Sequence, residues 1–107
     1  MCRQLLATLF TSLTLAACGS QVDGGGPAEL AKAKYCLNCH AINAKVVGPS
    51  YQSVAAKYAG QEGAEDKLVQ KVLQGGSGVW GTVPMPPNTQ VTQEQAHILV
   101  KWVLSQK

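Results

Sequence analysis

The sequence predicts an all-α fold of about four short helices, on three observations. Apolar residues recur at helical spacing in four separate stretches, no stretch alternates polar and apolar side chains as a half-buried strand would, and proline or glycine punctuates the boundaries. Behind Pro27, a residue suited to a helix start, the helix formers Glu29, Leu30, Ala31, Lys32, Ala33 and Lys34 predict a first helix over residues 28–36. Tyr51, Val54, Ala55 and Tyr58 fall at i, i+3, i+4 and i+7 after Pro49, and Gly60 stops this second helix. Leu68, Val69, Val72 and Leu73 make one face of a third, over about residues 64–74, which ends at Gly75 and Gly76. Acids lead it and Lys71 lies near its end, in agreement with the helix dipole. Thr92 with Gln95 fits a capping box, and Ile98, Leu99, Trp102 and Val103 stripe the last helix. Between the third and fourth helices, residues 75–91 form a long irregular loop whose path is set by Gly78, Gly81, Pro84, Pro86 and Pro87. Loops of that length are usually functional.

The chain has 107 residues, which leaves room for one domain. With 46% hydrophobic and 14% charged residues it is neither disordered nor collagen-like, and it lacks the run of about 20 apolar residues that spans a bilayer. A net charge of +3 from scattered basic residues excludes a nucleic-acid binder, which would cluster them on one face. Two Trp, three Tyr and one Phe are few large side chains for a core, and Phe10 lies in the leader. That shortage points to a prosthetic group in the interior.

Residues 1–17 read as a secretion signal: one positive charge at Arg3, an apolar stretch from Leu5 to Leu15, then small residues. Leu15-Ala16-Ala17-Cys18 looks like a lipobox, cut before a cysteine that then carries lipid, so Cys18 is the expected anchor. The plainer alternative is an ordinary signal cut nearby, with Cys18 a spare thiol, a liability in an exported chain. Several acyl chains would hold the protein stably, where one gives only marginal binding. Residues 18–27 then form the lipidated start and a Gly-rich linker, with a coil reach of roughly 15 to 18 Å. Residues 28–107 form the folded domain. Gly19 after the lipid cysteine favours an outer membrane if the host has two.

Cys36-Leu37-Asn38-Cys39-His40 is a Cys-x-x-Cys-His motif, read as covalent haem attachment. Two thiols three positions apart can each add to a haem vinyl group, and the adjacent histidine is placed to bind the iron. A thioredoxin-like dithiol would sit near strands, a zinc site would need a fourth ligand, and a plain disulfide is the remaining alternative. For the second axial ligand the candidate is Met85, held between Pro84 and Pro86 rather than on an apolar helix face. His97 is the rival, but it lies within a helix near Lys101. His/Met ligation raises the reduction potential and leaves no open iron position.

Together with Val47-Gly48-Pro49-Ser50-Tyr51, Val79-Trp80-Gly81, Pro84-Met85-Pro86-Pro87-Asn88 and the closing Lys101-Trp102-Val103, the haem motif resembles the small bacterial class I cytochromes of the c-551 type over residues 28–107. The resemblance implies a class I cytochrome c fold round one covalent haem c and its iron, with His40 and Met85 as ligands. It also implies that the Pro49 carbonyl accepts from the His40 ring, that Trp80 donates to a haem propionate, and that Asn88 hydrogen-bonds near the Met85 sulfur. The chain departs from that pattern at Ala31, at Tyr35 and by one extra residue near Gln90.

The function so implied is that of a periplasmic, monomeric single-electron carrier, not an enzyme, tethered to the membrane. Its expected partners are a membrane electron donor and redox proteins such as a nitrite reductase, terminal oxidase or peroxidase. An apolar rim of Val46, Val47, Pro86 and Pro87, ringed by Lys34, Lys45 and Lys57, would dock them weakly. The alternative is a haem-based gas sensor in which Met85 is displaced. A peroxidase would need acid and base groups near Met85, and none is found there in the sequence.

Overall fold

A computed structural model describes residues 25–107. The predicted signal, the Cys18 anchor and most of the linker lie outside the described residues. The chain runs through α1 (Pro27–Ala33), a short 3-10 turn (Cys36–Asn38), α2 (Tyr51–Tyr58), α3 (Ala64–Gln74) and α4 (Gln93–Leu104). The all-α expectation holds, and α2 and α3 have the predicted limits. Two isolated bridges, His40 with Lys45 and Gly76 with Met85, are the extended pairings among the described residues. No helix there is long and apolar enough to cross a membrane.

The first helix is shorter than its composition implies. It ends at Ala33, because Lys34 leaves helical geometry and Tyr35 takes a left-handed conformation with φ 66°. That conformation costs an L-residue roughly 1–2 kcal/mol, and it turns the chain so that Cys36 begins a separate turn. Departing from the relatives' pattern at Tyr35 therefore coincides with the one non-glycine residue at positive φ among the described residues. A second departure, Ala31, is fully buried.

α4 is the centre of the bundle. Leu30 and Ala31 of α1, Val54 and Tyr58 of α2, and Leu68 and Val69 of α3 close with Ala96, Leu99 and Val100 of α4 into one apolar cluster. Ala31 and Ala96 have no exposed surface, and such small side chains let helix axes approach closely. The capping box starts α4 as predicted: the Gln95 amide donates to the Thr92 hydroxyl and the Thr92 amide to the Gln95 side chain, each at 3.1 Å. α2 is capped by Ser50, whose Oγ accepts from the Ser53 amide at 3.1 Å. In the sequence the start signal falls on Pro49, one residue before this cap. The bundle thus leaves two irregular segments, residues 34–50 and 75–92, both hung on helix ends.

Candidate haem site

In the first irregular segment, the tight geometry of a 3-10 turn eclipses positions three apart, so Cys36 and Cys39 stand on one side of it. The amides of Cys39 and His40 both donate to the Cys36 carbonyl, at 3.2 and 3.1 Å, which fixes the three motif residues as a unit. Both cysteines are free thiols and half-buried. Burial pushes the Cys36 thiol above its ordinary pKa, outweighing its own backbone hydrogen bond, which acts the other way. Among the described residues no three His, Cys, Asp or Glu side chains converge to hold a metal ion, so the zinc reading has no fourth or even third partner.

His40 is held on several sides. Its Nδ1 lies 2.7 Å from the Pro49 carbonyl, and since a carbonyl only accepts, the proton sits on Nδ1 and the Nε2 lone pair is left for a metal. The imidazole stacks on the Tyr51 ring with centroids 5.2 Å apart and planes at 21°, and Tyr51 meets Trp102 edge-on at 5.3 Å. Gly48 backs the same ring so closely that a Cβ there would lie 2.8 Å from Nδ1 and 2.9 Å from Nε2. The backbone closes the pocket: the amides of Val47 and Gly48 donate to the Cys39 carbonyl at 3.1 and 2.8 Å. Burial, and then the neighbouring Cys36 and Cys39, push the Tyr51 phenol well above the ordinary tyrosine range, so it remains neutral. Neither Tyr51 nor Gly48 is marked as a site residue by its sequence context alone. A Gly-Pro pair before a helix and an aromatic at its first position were the only signals.

Met85 sits in the second segment, paired in both directions with Gly76: the Gly76 amide donates to the Met85 carbonyl at 3.0 Å and the Met85 amide to the Gly76 carbonyl at 2.8 Å. The Asn88 side chain donates through Nδ2 to the Val72 carbonyl at 2.9 Å, and the Asn88 backbone amide reaches the same oxygen at 3.1 Å. Asn88 therefore ties the loop to α3. Trp80 lies 5.5 Å beneath the Lys57 ammonium and lines, with Asn43, Lys45, Pro49, Ser50 and Ser53, a concavity of about 290 Å³. Trp80 and Pro49 are thus brought together. His97 is occupied elsewhere, its Nδ1 lying 2.9 Å from Glu65 Oε1 in a bridge between α4 and α3.

Every large apolar side chain that is exposed among the described residues belongs to the two irregular segments: Tyr35, Leu37, Ile42, Val46 and Val47 in the first, Val79, Trp80 and Val83 in the second. A concentrated apolar surface of this kind marks a binding face. Two thiols on one side of a turn, a histidine with a free Nε2 and this apolar surface fit a large flat group that attaches through thioethers and brings iron with it.

Four helices round a cysteine-linked haem region define an all-α class I c-type cytochrome. The chain belongs to the cytochrome c family, whose family model matches residues 27–107. Within it, the chain is of the small monohaem c-551/c-552 type and carries one covalent c-type haem. It is 51% identical over 102 residues to cytochrome c-551 of Pseudomonas aeruginosa, an alignment that covers 95% of each chain. It is 54% identical over 79 residues to cytochrome c-551 of Azotobacter vinelandii, covering 74% of this chain and 95% of that one. The crystal structure of wild-type Nitrosomonas europaea cytochrome c552 superposes with a TM-score of 0.73 at 46% identity, over 75% of this chain and 99% of the other.

Proposed function

We propose that the protein is a periplasmic single-electron carrier in which haem is joined to Cys36 and Cys39 and ligated axially by His40 and Met85. The observation that carries this reading is the His40 ring, whose bond to the Pro49 carbonyl fixes Nδ1 as the protonated nitrogen and keeps Nε2 for the iron. When bound, haem supplies a one-electron iron couple in which no covalent bond is made or broken. The chain does the rest. The Pro49 carbonyl and the Tyr51 ring hold the imidazole plane, the paired Gly76–Met85 backbone holds the methionine, and the apolar side chains of both segments exclude water. Trp80, beside Lys45 and Lys57, is the group for a haem propionate. Asn88 supports Met85 through its hold on α3, and a second Nδ2 hydrogen remains for the sulfur.

Two measurements test the reading. The ferric protein is expected to show the weak far-red band of sulfur–iron ligation, and the ferrous protein to leave carbon monoxide unbound at neutral pH. Rapid carbon monoxide binding would replace the carrier with the gas-sensing alternative.

The membrane tether is part of the same proposal. Leu15-Ala16-Ala17-Cys18 supports cleavage before Cys18 and its lipidation, with residues 19–27 as the spacer and the outer membrane as the favoured site. Partners would then be those within reach of that surface: a membrane electron donor on one side and a nitrite reductase, terminal oxidase or peroxidase on the other. Cells fed radiolabelled palmitate are expected to label the wild-type protein and to leave Cys18→Ser unlabelled. Equal labelling, or none in either, would return Cys18 to the status of a spare thiol.

A further inference from the structure

We propose that Gly75, at the end of α3, is a positioning residue for Met85, and that the absence of a side chain there keeps the methionine sulfur on the iron. The inference rests on the reading of Met85 as the second axial ligand. An α-helix leaves its last carbonyls without partners inside the helix. In α3, the Lys71 carbonyl accepts from the Gly75 amide at 2.8 Å, and the Val72 carbonyl accepts both donors of Asn88. The next residue, Gly76, pairs with Met85 in both directions. The methionine loop is therefore docked on the final turn of α3 rather than on its own side chains.

Gly75 is the closest point of that dock. Its φ of 72° with ψ −170° is a conformation that glycine alone adopts readily, and a Cβ built on it would overlap the Met85 carbonyl oxygen and lie 2.9 Å from Pro86 C and from Pro87 N. All three atoms are backbone, so no side-chain rotation relieves the overlap. The loop cannot yield locally either, because Pro84, Pro86 and Pro87 each have a fixed φ. A side chain at position 75 must push the Met85 segment away from α3 as a body. Displacement of a loop that presents a ligand raises the fraction of molecules with the sixth iron position open. The apparent affinity for an external ligand rises in proportion to that fraction.

Gly63, which caps the start of the same helix, provides a control without contact. Its φ of 77° is also positive, though with ψ 3° against −170° at Gly75, and a Cβ there meets nothing within 4 Å. Gly63→Ala therefore reports a side chain at positive φ without contact, whereas Gly75→Ala and Gly75→Asn both add the contact, at a backbone conformation strained for any side chain. The haem-loaded proteins are compared by far-red absorption, reduction potential and imidazole titration of the ferric form.

Gly75→Ala and Gly75→Asn are expected to lose most of the sulfur–iron band, to fall in potential and to bind imidazole about tenfold more tightly or better than wild type. Gly63→Ala is expected to melt earlier than wild type with band, potential and imidazole affinity unchanged. Should either Gly75 variant fail to mature, the other carries the test. A Gly75→Asn protein with wild-type band and affinity overturns the inference, as does a Gly63→Ala protein that loses both equally. Wild-type protein with no sulfur–iron band overturns the ligation reading and this inference together, which separates the two failures.

Discussion

Met85→Ala is expected to abolish the far-red sulfur–iron band, to lower the reduction potential by on the order of a few hundred millivolts, out of the roughly 0.8 V that axial ligands span, and to let ferrous iron bind carbon monoxide. The direction follows from the donor. A neutral thioether favours ferrous iron, whereas the water or hydroxide that would replace it favours ferric iron. The fold should survive, because the bonds that hold the loop are made by backbone. Gly76 pairs with the amide and carbonyl of residue 85, and Asn88 holds the Val72 carbonyl, whichever side chain stands at 85. Helical circular dichroism close to wild type, with ligation lost, is thus the expected combination. A variant that loses the band yet still excludes carbon monoxide would mean that another side chain has taken the sixth position, and one that keeps the band would mean that Met85 is not its source. His97 is a poor substitute, since it is engaged with Glu65.

The same residues show what could be read from sequence and what could not. Local signals carried the helices: the Thr92 and Gln95 pair starts α4 as expected, and glycine ends α3 where the apolar face runs out. The haem motif was equally legible, because its chemistry needs only five consecutive residues. The first helix was overextended because composition favours continuing through Lys34, whereas the chain instead turns at Tyr35 through a left-handed conformation no propensity would assign to tyrosine. The rest of the site depends on approach between distant positions. Gly48 packs on His40, Tyr51 stacks on His40, and Gly75 packs on the Met85 carbonyl, contacts across 8, 11 and 10 positions of chain. In the sequence those residues look like a turn glycine, a helix-face aromatic and a helix-ending glycine. Asn88 belongs to the same class, since its hold on Val72 depends on how the loop returns to α3.

Removing both attachment points, as Cys36→Ser with Cys39→Ser, is expected to give a polypeptide with no covalent haem, little helical circular dichroism and no cooperative unfolding transition. The core explains why. Its largest fully buried side chains are Leu30 and Val69, and much of the remainder is alanine and valine. A domain of this size buries only about 60 to 70% of the surface its unfolded chain exposes, so its margin is small without further help. The missing apolar contact is the surface formed by Leu37, Ile42, Val46, Val47, Val79 and Val83, exposed in the polypeptide and contributed by segments with no α-helix of their own. A group that binds the folded chain and not the unfolded one adds its binding free energy to stability, and covalent attachment holds that group at high effective concentration. Its loss should therefore remove most of a total that is only about 5–15 kcal/mol for native proteins in general. Single variants, each with one thioether left, are expected to melt between the wild type and the double variant. A double variant that still unfolds cooperatively, at a temperature near that of the wild type, would show that the aliphatic cluster round α4 suffices alone and that haem only occupies a fold already made.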